Sequence, residues 1–465
     1  MSVRACLGTA CAIVLLAAAA RAAEPGAPDC AAPSRERAPD PRCGEALDGR
    51  EPAPPTAARQ AARVALWVPR AAAAGFFWPV LKTSDAYEAH QVGNWLRAWL
   101  TSDDGKVGVR PMLTYATGFL PTAGLRVFDN RLPGEGAGFG ATFQTAGPSV
   151  LMGELTARGP AATGLSFRGI ANRRDDRLFA GIGALGASDL AALGWSTARF
   201  ASDIFSAELR WSKILPARFR VDAHGDLSRR DYRADGVRGG ASIADVFPRQ
   251  TTACLAETTP TNACVDPAQA PGFAGGLRVA HAGAGVLWDA RARARDGTGA
   301  YVALDATIAQ GIAGDPSRHV TYSGESLFAL GFTDRQLLLR GRAAMVDALG
   351  GAPVPFEELV MVSGNAGMRG FPDGRFRGPS GVVGTAEYRW YVAQYVDASL
   401  FSDVGTVAGA GFAGLTSARW FPSYGVGLRF FHVPGDYWDG TLETGAQLVY
   451  APDNGFRFIL AVAGF

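Results

Sequence analysis

Residues 107–115 read VGVRPMLTY, and from this stretch onward apolar residues tend to recur at every second position. The apolar side comprises Val107, Val109, Leu113 and Tyr115, and the other side Gly108, Arg110, Met112 and Thr114. Alternation with a period of two is typical of a β-strand that has one apolar face. The stretch therefore predicts a strand that begins near Val107.

The same period of two recurs in fifteen further segments before the C terminus. They cover residues 122–130, 136–145, 149–158, 162–172, 193–215, 217–232, 274–290, 299–312, 318–331, 335–347, 380–392, 396–406, 422–433, 439–451 and 455–465. We interpret residues 193–215 as one long strand. An even number of amphipathic strands favours an up-and-down barrel, because closure removes both sheet edges. The sequence thus predicts an all-β fold, a 16-stranded antiparallel transmembrane β-barrel over residues 106–465, with a short N-terminal helical segment.

The composition agrees with strands rather than helices as the membrane-crossing elements. The chain is 48% hydrophobic with 59 Gly, 26 Phe and 10 Trp, but after the first residues no 18 consecutive residues are apolar. This excludes a helical membrane protein. Apolar content without long runs fits either a large soluble β-rich domain or a barrel whose strands alternate lipid-facing and lumen-facing residues.

The two ends of the chain favour the barrel. Residues 1–23 carry Arg4, an apolar run and the small-x-small sequence Ala20-Arg21-Ala22, which predicts a secretory signal peptide. A transmembrane helix is the alternative, but the run is shorter than the roughly 20 residues of a span. At the other end, the chain stops at Phe465, preceded at alternate positions by Ala463, Ala461 and Ile459. We interpret these four residues as the assembly signal of a bacterial outer-membrane barrel.

The region between the signal peptide and the first strand divides into two parts. Residues 24–58 are rich in Pro, Ala and charge, and such a composition predicts disorder. Residues 59–105 contain apolar clusters at helical spacing that include Trp67, Trp78 and Trp99, which predicts a helical periplasmic segment. A Trp-rich amphipathic helix suits a membrane interface or the barrel mouth. A helix packed on the wall of the barrel itself is the alternative.

Four cysteines remain after the signal peptide and form two local pairs, Cys30 with Cys43 and Cys254 with Cys264. In an exported chain such pairs predict disulfides. Zinc sites are the alternative, but they would need further ligands, and none of the five His is near these pairs. We therefore expect no metal. The net charge of +2 indicates no nucleic-acid partner.

Between the eleventh and twelfth predicted strands, residues 355–392 read PFEELVMVSGNAGMRGFPDGRFRGPSGVVGTAEYRWYV. With Met368-Arg369-Gly370-Phe371, this region resembles the bacterial surface antigen family, which includes BamA/TamA-type assembly barrels and two-partner-secretion transporters. That family has an aliphatic–Arg–Gly–aromatic motif in the loop before the twelfth of sixteen strands, usually with Val or Ile where this chain has Met. The resemblance covers residues 105–465. It implies a loop that folds back into the lumen, with the Arg against acidic residues of the next two strands.

Acidic residues occur at both of the positions that the resemblance implies. Glu387 and Asp403 lie in predicted strands, and the period of two places both on the lumen face. A planar guanidinium can bind two carboxylates with directional hydrogen bonds. We therefore expect Arg369 to pair with Glu387 and Asp403 and to hold the loop, with Gly370 allowing a tight turn and Phe371 packing on the inner wall.

The resemblance implies that the barrel assists insertion or translocation of polypeptides, or of lipid, without enzyme chemistry or a cofactor. Its partners would be outer-membrane lipid, client polypeptides and the barrel assembly machinery. About 83 residues separate the predicted cleavage site from Val107, which resembles the short branch of the family without periplasmic POTRA modules. A passive solute pore on the same barrel is the alternative. A lipolytic enzyme is disfavoured, because the chain lacks a GxSxG motif and its histidines His224, His281, His319 and His432 look isolated.

Overall fold

Sixteen long antiparallel strands close into a barrel in the computed structural model. The structure describes residues 75, 77–83, 86, 90, 99–102, 106–131, 137–160, 162–235, 240–291, 297–332, 335–365, 367–393, 396–430 and 444–463. The barrel strands are β1 (Val107–Ala116), β2 (Thr122–Asp129), β3 (Gly138–Thr145), β4 (Leu151–Arg158), β5 (Leu165–Phe179), β6 (Ala198–Ile214), β7 (Phe219–Arg233), β8 (Leu277–Asp289), β9 (Gly299–Gly311), β10 (Arg318–Gly331), β11 (Arg335–Ala348), β14 (Ser380–Ala393), β15 (Val396–Ala408), β16 (Phe421–Phe430), β17 (Thr444–Ala451) and β18 (Gly455–Ala463). The predicted fold class is confirmed.

Each strand pairs with its neighbours along the chain, and β18 closes the barrel against β1. The loop of residues 349–379 interrupts this order, so β11 pairs with β14. We call this segment the lumen loop. Within it, β12 (Val360–Met361) and β13 (Arg377–Gly378) form a small two-stranded sheet that the sequence did not predict.

Short helices lie in the long connections. They are α1 (Ala187–Ala192), α2 (Ile243–Val246) and α3 (Thr252–Ala256), with 3-10 turns at Pro216–Arg218, Asn262–Cys264 and Ala410–Phe412. None of the helices in the described part of the chain combines the length and apolar character of a membrane-spanning helix.

The alternation seen in the sequence divides the strands into an outer and an inner face. Leu125 of β2 and Phe143 of β3 are direct cross-strand partners, and their exposed fractions are 53% and 55%. Their inward-facing neighbours include Gln144, which is buried and accepts a hydrogen bond from Thr122. Large apolar side chains on the outside and polar groups inside are the arrangement of a barrel in lipid.

The connections differ in length at the two ends of the barrel. The described parts of residues 180–197, 234–276 and 349–379 form long loops at the end opposite to the start of β1, whereas residues 215–218 form a short turn at the same end as that start. In outer-membrane barrels, the long loops face the outside and the short turns face the periplasm. We therefore call the first the loop end and the second the periplasmic end.

At the loop end, one strand extends further than expected and the next begins later. β5 reaches Phe179 rather than residue 172, and β6 begins at Ala198 rather than residue 193. Between Arg174 and Arg177 the register of β5 shifts, and Arg174 holds Asp176 there at 2.8 Å. This bulge breaks the simple alternation, so the period of two ends before the strand does. Residues 193–215 contain one strand, as predicted.

Above the lumen, the long loops pack together around an aromatic cluster. Its large buried members are Phe179, Phe200, Tyr232, Phe247, Phe273 and Phe356. Phe356 belongs to the lumen loop and lies 5.5 Å from the ring centroids of both Phe179 and Phe200. The cluster therefore packs the start of the lumen loop against the loop ends of β5 and β6.

Before β1, residues 77–83 are helical and pack on the outside of the barrel. Phe77 contacts Trp390 edge to face at 6.2 Å, and Val80 and Leu81 pack on the same outward row, which includes Ala398. Of the two placements considered for this segment, the described residues adopt the one on the barrel wall, near the periplasmic end. The predicted signal peptide 1–23 and the disordered segment 24–58 lie outside the described residues.

Candidate functional site in the barrel lumen

The tip of the lumen loop is buried inside the barrel. Met368, Phe371 and Phe376 have no exposed surface and pack on apolar side chains that line the wall. Those wall residues are Val383, Val407, Phe421 and Ala451. The ring of Phe371 lies 6.0 Å from Phe421, at the inner wall where the motif predicted it. An apolar contact at this depth positions the polar residue between Met368 and Phe371.

Arg369 lies between the two acidic residues that the motif singled out. Its Nε and Nη2 donate to the two carboxylate oxygens of Asp403 at 3.0 and 2.8 Å, a bidentate arrangement. Its Nη1 donates to Oε2 of Glu387 at 2.9 Å. The backbone N–H of Arg369 also donates to Asp403 at 3.1 Å. The loop is therefore attached to both β14 and β15 through one side chain.

The surroundings of this ion-pair cluster fix its geometry. Arg389 donates to the other oxygen of Glu387 at 2.6 Å, and Thr385 donates to Asp403 at 2.9 Å. The guanidinium of Arg369 lies 3.4 Å from the centroid of the Phe401 ring. Burial disfavours the charge on Arg369, but the two carboxylates outweigh burial and raise its pKa. Two cations thus face two anions, and the side chains leave little freedom to rearrange.

Gly370 is required for a reason other than the expected one. Its φ is not positive, so the backbone there does not demand glycine. Instead the chain lies directly on the wall: a β-carbon at residue 370 would collide with Cβ of Ser423 and lie 3.0 Å from Cβ of Ala451. The expected tight turn is present, since the N–H of Phe371 donates to the carbonyl oxygen of Met368 at 3.2 Å, but glycine is demanded by the close approach between loop and wall.

A third attachment of the loop was missed by the sequence reasoning. Arg457 of β18 donates from Nη1 to the carbonyl oxygens of Arg369 and Phe371 at 2.8 and 3.0 Å. Its exposed fraction is 1%. Asn454 donates to the carbonyl oxygen of Gly370 at 2.9 Å. An arginine in an otherwise apolar C-terminal strand was the available signal, since a lumen-facing charge needs a partner.

The start of the lumen loop has its own charged contacts. Glu357 accepts from Arg377 at 2.6 Å within the loop. Glu358 meets Arg230 of β7 at 2.8 Å and lies within hydrogen-bond distance of both His281 and His319. The interpretation of these two histidines as isolated residues was wrong, because it could not foresee that the loop carries a carboxylate to them.

The C-terminal residues divide between the two faces of β18. Ile459 is buried with Phe401 and Val449, toward the lumen, and Ala461 shares its side of the strand. The exposed outer face carries Phe456 and Phe458. The side chain of Ala463 and all of Phe465 lie outside the described residues. The apolar row that faces lipid therefore contains Phe456 and Phe458, whereas Ile459 and Ala461 of the predicted assembly signal lie on the opposite face of the strand.

One of the two predicted cysteine pairs can be placed. Cys254 and Cys264 form a disulfide between α3 and the following 3-10 turn, in the long loop after β7. Cys30 and Cys43 lie outside the described residues.

Solved structures of other proteins have a similar fold. The chain resembles the crystal structure of BamA from Haemophilus ducreyi lacking POTRA domains 1-3, with a TM-score of 0.52 and 14% identity, over 77% of this chain and 70% of that one. It also resembles CdiB from Acinetobacter baumannii (TM-score 0.45, 11% identity, 77% and 60% of the two chains) and CdiB from Escherichia coli (0.42, 12%, 76% and 62%). It spans less than two thirds of either CdiB chain. None of the curated proteins matches the sequence.

The closed sixteen-stranded barrel with its inward-folded loop defines an outer-membrane β-barrel protein. Residues 282–432, which include the strands and loop that form the Arg369 cluster, match the Omp85 superfamily domain. This match agrees with the resemblance that the motif indicated.

Proposed function

We propose that this barrel assists the insertion or translocation of polypeptides at the outer membrane. One observation carries the proposal: the lumen loop is attached at the same point to β14 and β15 through Arg369 and to β18 through Arg457. Because β18 is the strand that closes the barrel, a change in the loop can reach the closure point directly. The match of residues 282–432 to the Omp85 superfamily domain supports this class of function.

The closure between β1 and β18 is the shortest strand pairing of the barrel among the described residues. Its register runs from Met112↔Ala463 to Ala116↔Ile459. The β10–β11 pairing, by contrast, runs from His319↔Ala348 to Gly331↔Gln336. A shorter ladder has fewer backbone hydrogen bonds to break, and an opened edge can pair with an extended client segment. We refer to the β1–β18 pairing as the seam.

The filled lumen favours this function over a permanently open solute pore. The buried tip residues Met368 and Phe371 lie where solute would have to pass, and the ion-pair cluster holds them there. Passage of a polypeptide or a lipid would therefore require the loop to move or the seam to open. Both events are coupled through Arg457 in the proposed mechanism.

Photo-crosslinking on the outer face tests the proposal. A photoreactive residue at Leu113 of β1 or Phe458 of β18 lies beside the seam, and one at Leu304 of β9 provides a matched control on the remote wall. We expect polypeptide adducts in cells at the two seam positions and only lipid adducts at Leu304. Lipid adducts alone at all three positions, together with stable ion conductance of the purified barrel, would instead indicate a passive pore.

Depletion of the protein identifies what depends on it. If the proposal is correct, specific outer-membrane or secreted polypeptides disappear on depletion, and the same polypeptides are recovered in the adducts at Leu113. Agreement between the two sets distinguishes direct clients from components that are lost secondarily.

A further inference from the structure

The contacts of Glu358 at the start of the lumen loop have the composition of a metal site. His281 of β8 and His319 of β10 are two strands apart and flank the same residue of β9, Ala309, in the strand register. The small side chain of Ala309 leaves space between the two rings, whose centroids are 6.4 Å apart. Glu358 of the lumen loop enters this space from above.

The three ligand atoms are already close to coordination distance of one another. Oε2 of Glu358 lies 3.3 Å from Nε2 of His281 and 3.4 Å from Nε2 of His319. The three atoms all lie within 4.8 Å of one another. Tetrahedral zinc with bonds of about 2.0–2.1 Å requires ligand atoms roughly 3.3–3.4 Å apart. The carboxylate is therefore at the required separation from both imidazoles.

The groups around these ligands are arranged as in a metal centre. Asp226 of β7 lies 3.1 Å from Nδ1 of His281, and Arg230 holds Oε1 of Glu358 at 2.8 Å. A carboxylate at Nδ1 stabilises the tautomer whose Nε2 lone pair is free to bind a cation. Arg230 in turn leaves Oε2 as the oxygen that faces the histidines. Nε2 of His281 and Oε2 of Glu358 can thus present lone pairs to the same point, and Nε2 of His319 lies 3.4 Å from that oxygen.

Without a metal, a protonated His281 can donate from both ring nitrogens, to Asp226 and to Glu358, and a bound metal cation would take the place of the proton on Nε2. A neutral His281 that donates from Nδ1 to Asp226 would point its Nε2 lone pair at the Glu358 carboxylate. With neutral histidines, Asp226, Glu358 and Arg230 together carry one net negative charge. The nearby Glu357 is already paired with Arg377. The site is also secluded: the side chains of His319, His281 and Glu358 are 1%, 9% and 11% exposed.

We propose that His281, His319 and Glu358 bind a zinc ion that fastens the start of the lumen loop to β8 and β10. Two imidazoles and one carboxylate are a ligand set that zinc prefers, with a fourth position left for water. The site is separate from the Arg369 cluster and does not depend on the function proposed above. The expectation of no metal was based on the cysteine pairs and did not consider these histidines together with Glu358.

Zinc titration of the full chain, purified from membranes and stripped with a chelator, tests the site. We expect one zinc per chain by elemental analysis after dialysis, and tetrahedral cobalt absorption bands when cobalt chloride replaces zinc. His281→Gln and Glu358→Gln should each weaken zinc binding at least tenfold. Asp226→Asn, which changes no ligand, should weaken it by about 10–100-fold. Different migration of boiled and unboiled protein on a denaturing gel verifies that each variant is folded.

His224→Gln is the matched control. His224 also faces the lumen, with an 11% exposed side chain, and lies 3.7 and 3.8 Å from Asp222 and Asp305 in a second cluster. The proposal requires zinc binding in this variant to equal that of the unmodified chain. No retained zinc, unchanged binding in Glu358→Gln, or loss in His224→Gln alone would each overturn the proposal. Because Glu358 is a loop residue, its variant decides the outcome even if His281→Gln does not fold.

Discussion

Nη1 of Arg457 donates a hydrogen bond of 2.8 Å to the carbonyl oxygen of Arg369. The first residue lies in the strand that closes the barrel, and the second lies at the tip of the loop that fills it. The side chain of Arg369 points away from this contact, toward Glu387 and Asp403. One residue of the loop therefore links the seam strand to the wall formed by β14 and β15.

Replacing Arg369 by Ala should release the loop without preventing barrel assembly. Removal of one partner from a buried ion pair leaves the other charges unpaired, which costs about 3–5 kcal/mol. We expect the lower part of that range, because the Arg369 side chain is 11% exposed. Limited proteolysis should then cleave within residues 349–379, while boiled and unboiled protein still migrate differently. Proteolysis no faster than in the unmodified chain would contradict the anchoring role.

Arg369→Lys separates charge from geometry. An ammonium group retains the positive charge but cannot bind one carboxylate through two nitrogens while donating to another. We expect protease sensitivity between that of the unmodified chain and that of Arg369→Ala. A double-mutant cycle of Arg369→Ala with Asp403→Asn should give a coupling energy of at least about 1 kcal/mol. Strictly additive effects would refute the pairing.

Gly370→Ala should loosen the loop for steric reasons. The added methyl group would collide with Ser423, so the tip must move off the wall or the wall must shift. Overpacking of this kind typically costs about 1–3 kcal/mol. Gly384→Ala in β14 is the control, since its new carbon meets nothing closer than 3.7 Å. The measurement is again proteolysis of the loop, and equal rates in the two variants would refute the close-approach explanation.

Reduction of Cys254–Cys264 should affect only the long loop after β7. The two cysteines are ten residues apart, and closing a loop of this size contributes roughly 2–3 kcal/mol of local stability. We expect new protease cleavage within residues 240–276 after reduction, and the same cleavage in Cys254→Ser without reductant. Unchanged migration of the unboiled barrel should accompany it. Loss of the folded barrel would show that this loop supports the wall.

Deletion of residues 24–100 should leave a barrel that still assembles. The strands of a closed barrel provide one another's backbone hydrogen bonds, and residues 77–83 pack on the outer wall. Far-UV circular dichroism should remain dominated by strand. Deletion of residues 24–58 alone is the control, because it preserves the contact between Phe77 and Trp390. An unfolded product from the longer deletion would make the segment part of the barrel fold.

The strands were predicted well from the sequence, because the side chains of a barrel strand face lipid and lumen alternately and so produce a period of two. The sequence also predicted the partners of Arg369, since a resemblance supplied the pairing and strand alternation placed Glu387 and Asp403 on the inner face. Where alternation fails, the prediction failed with it. The bulge of β5 near Arg174 interrupts the period of two, and the strands of the small sheet inside the lumen loop are too short to show one.

Long-range contacts of the loop were beyond the sequence for a different reason. Arg457 and Arg369 are 88 residues apart, and Glu358 and His281 are 77 apart. Nothing local indicates that a loop will bring these groups together, since the contact exists only after the barrel has closed. Lumen-facing charges in apolar strands mark where such partners are needed, but they do not identify the partner.

A reversible lock across the seam tests the central claim most directly. Leu113 of β1 and Val462 of β18 are cross-strand partners, so Leu113→Cys with Val462→Cys can join the two strands by a disulfide. Leu125→Cys with Phe143→Cys places the same lock between β2 and β3. Both pairs lie in the barrel wall, and only the first prevents separation of β1 from β18.

The measurement is the amount of client polypeptide recovered in the outer membrane, or secreted, when each locked barrel replaces the depleted protein. We predict that the β1–β18 lock abolishes recovery, that a reducing agent restores it, and that the β2–β3 lock has no effect. Full recovery with the seam locked would contradict the account.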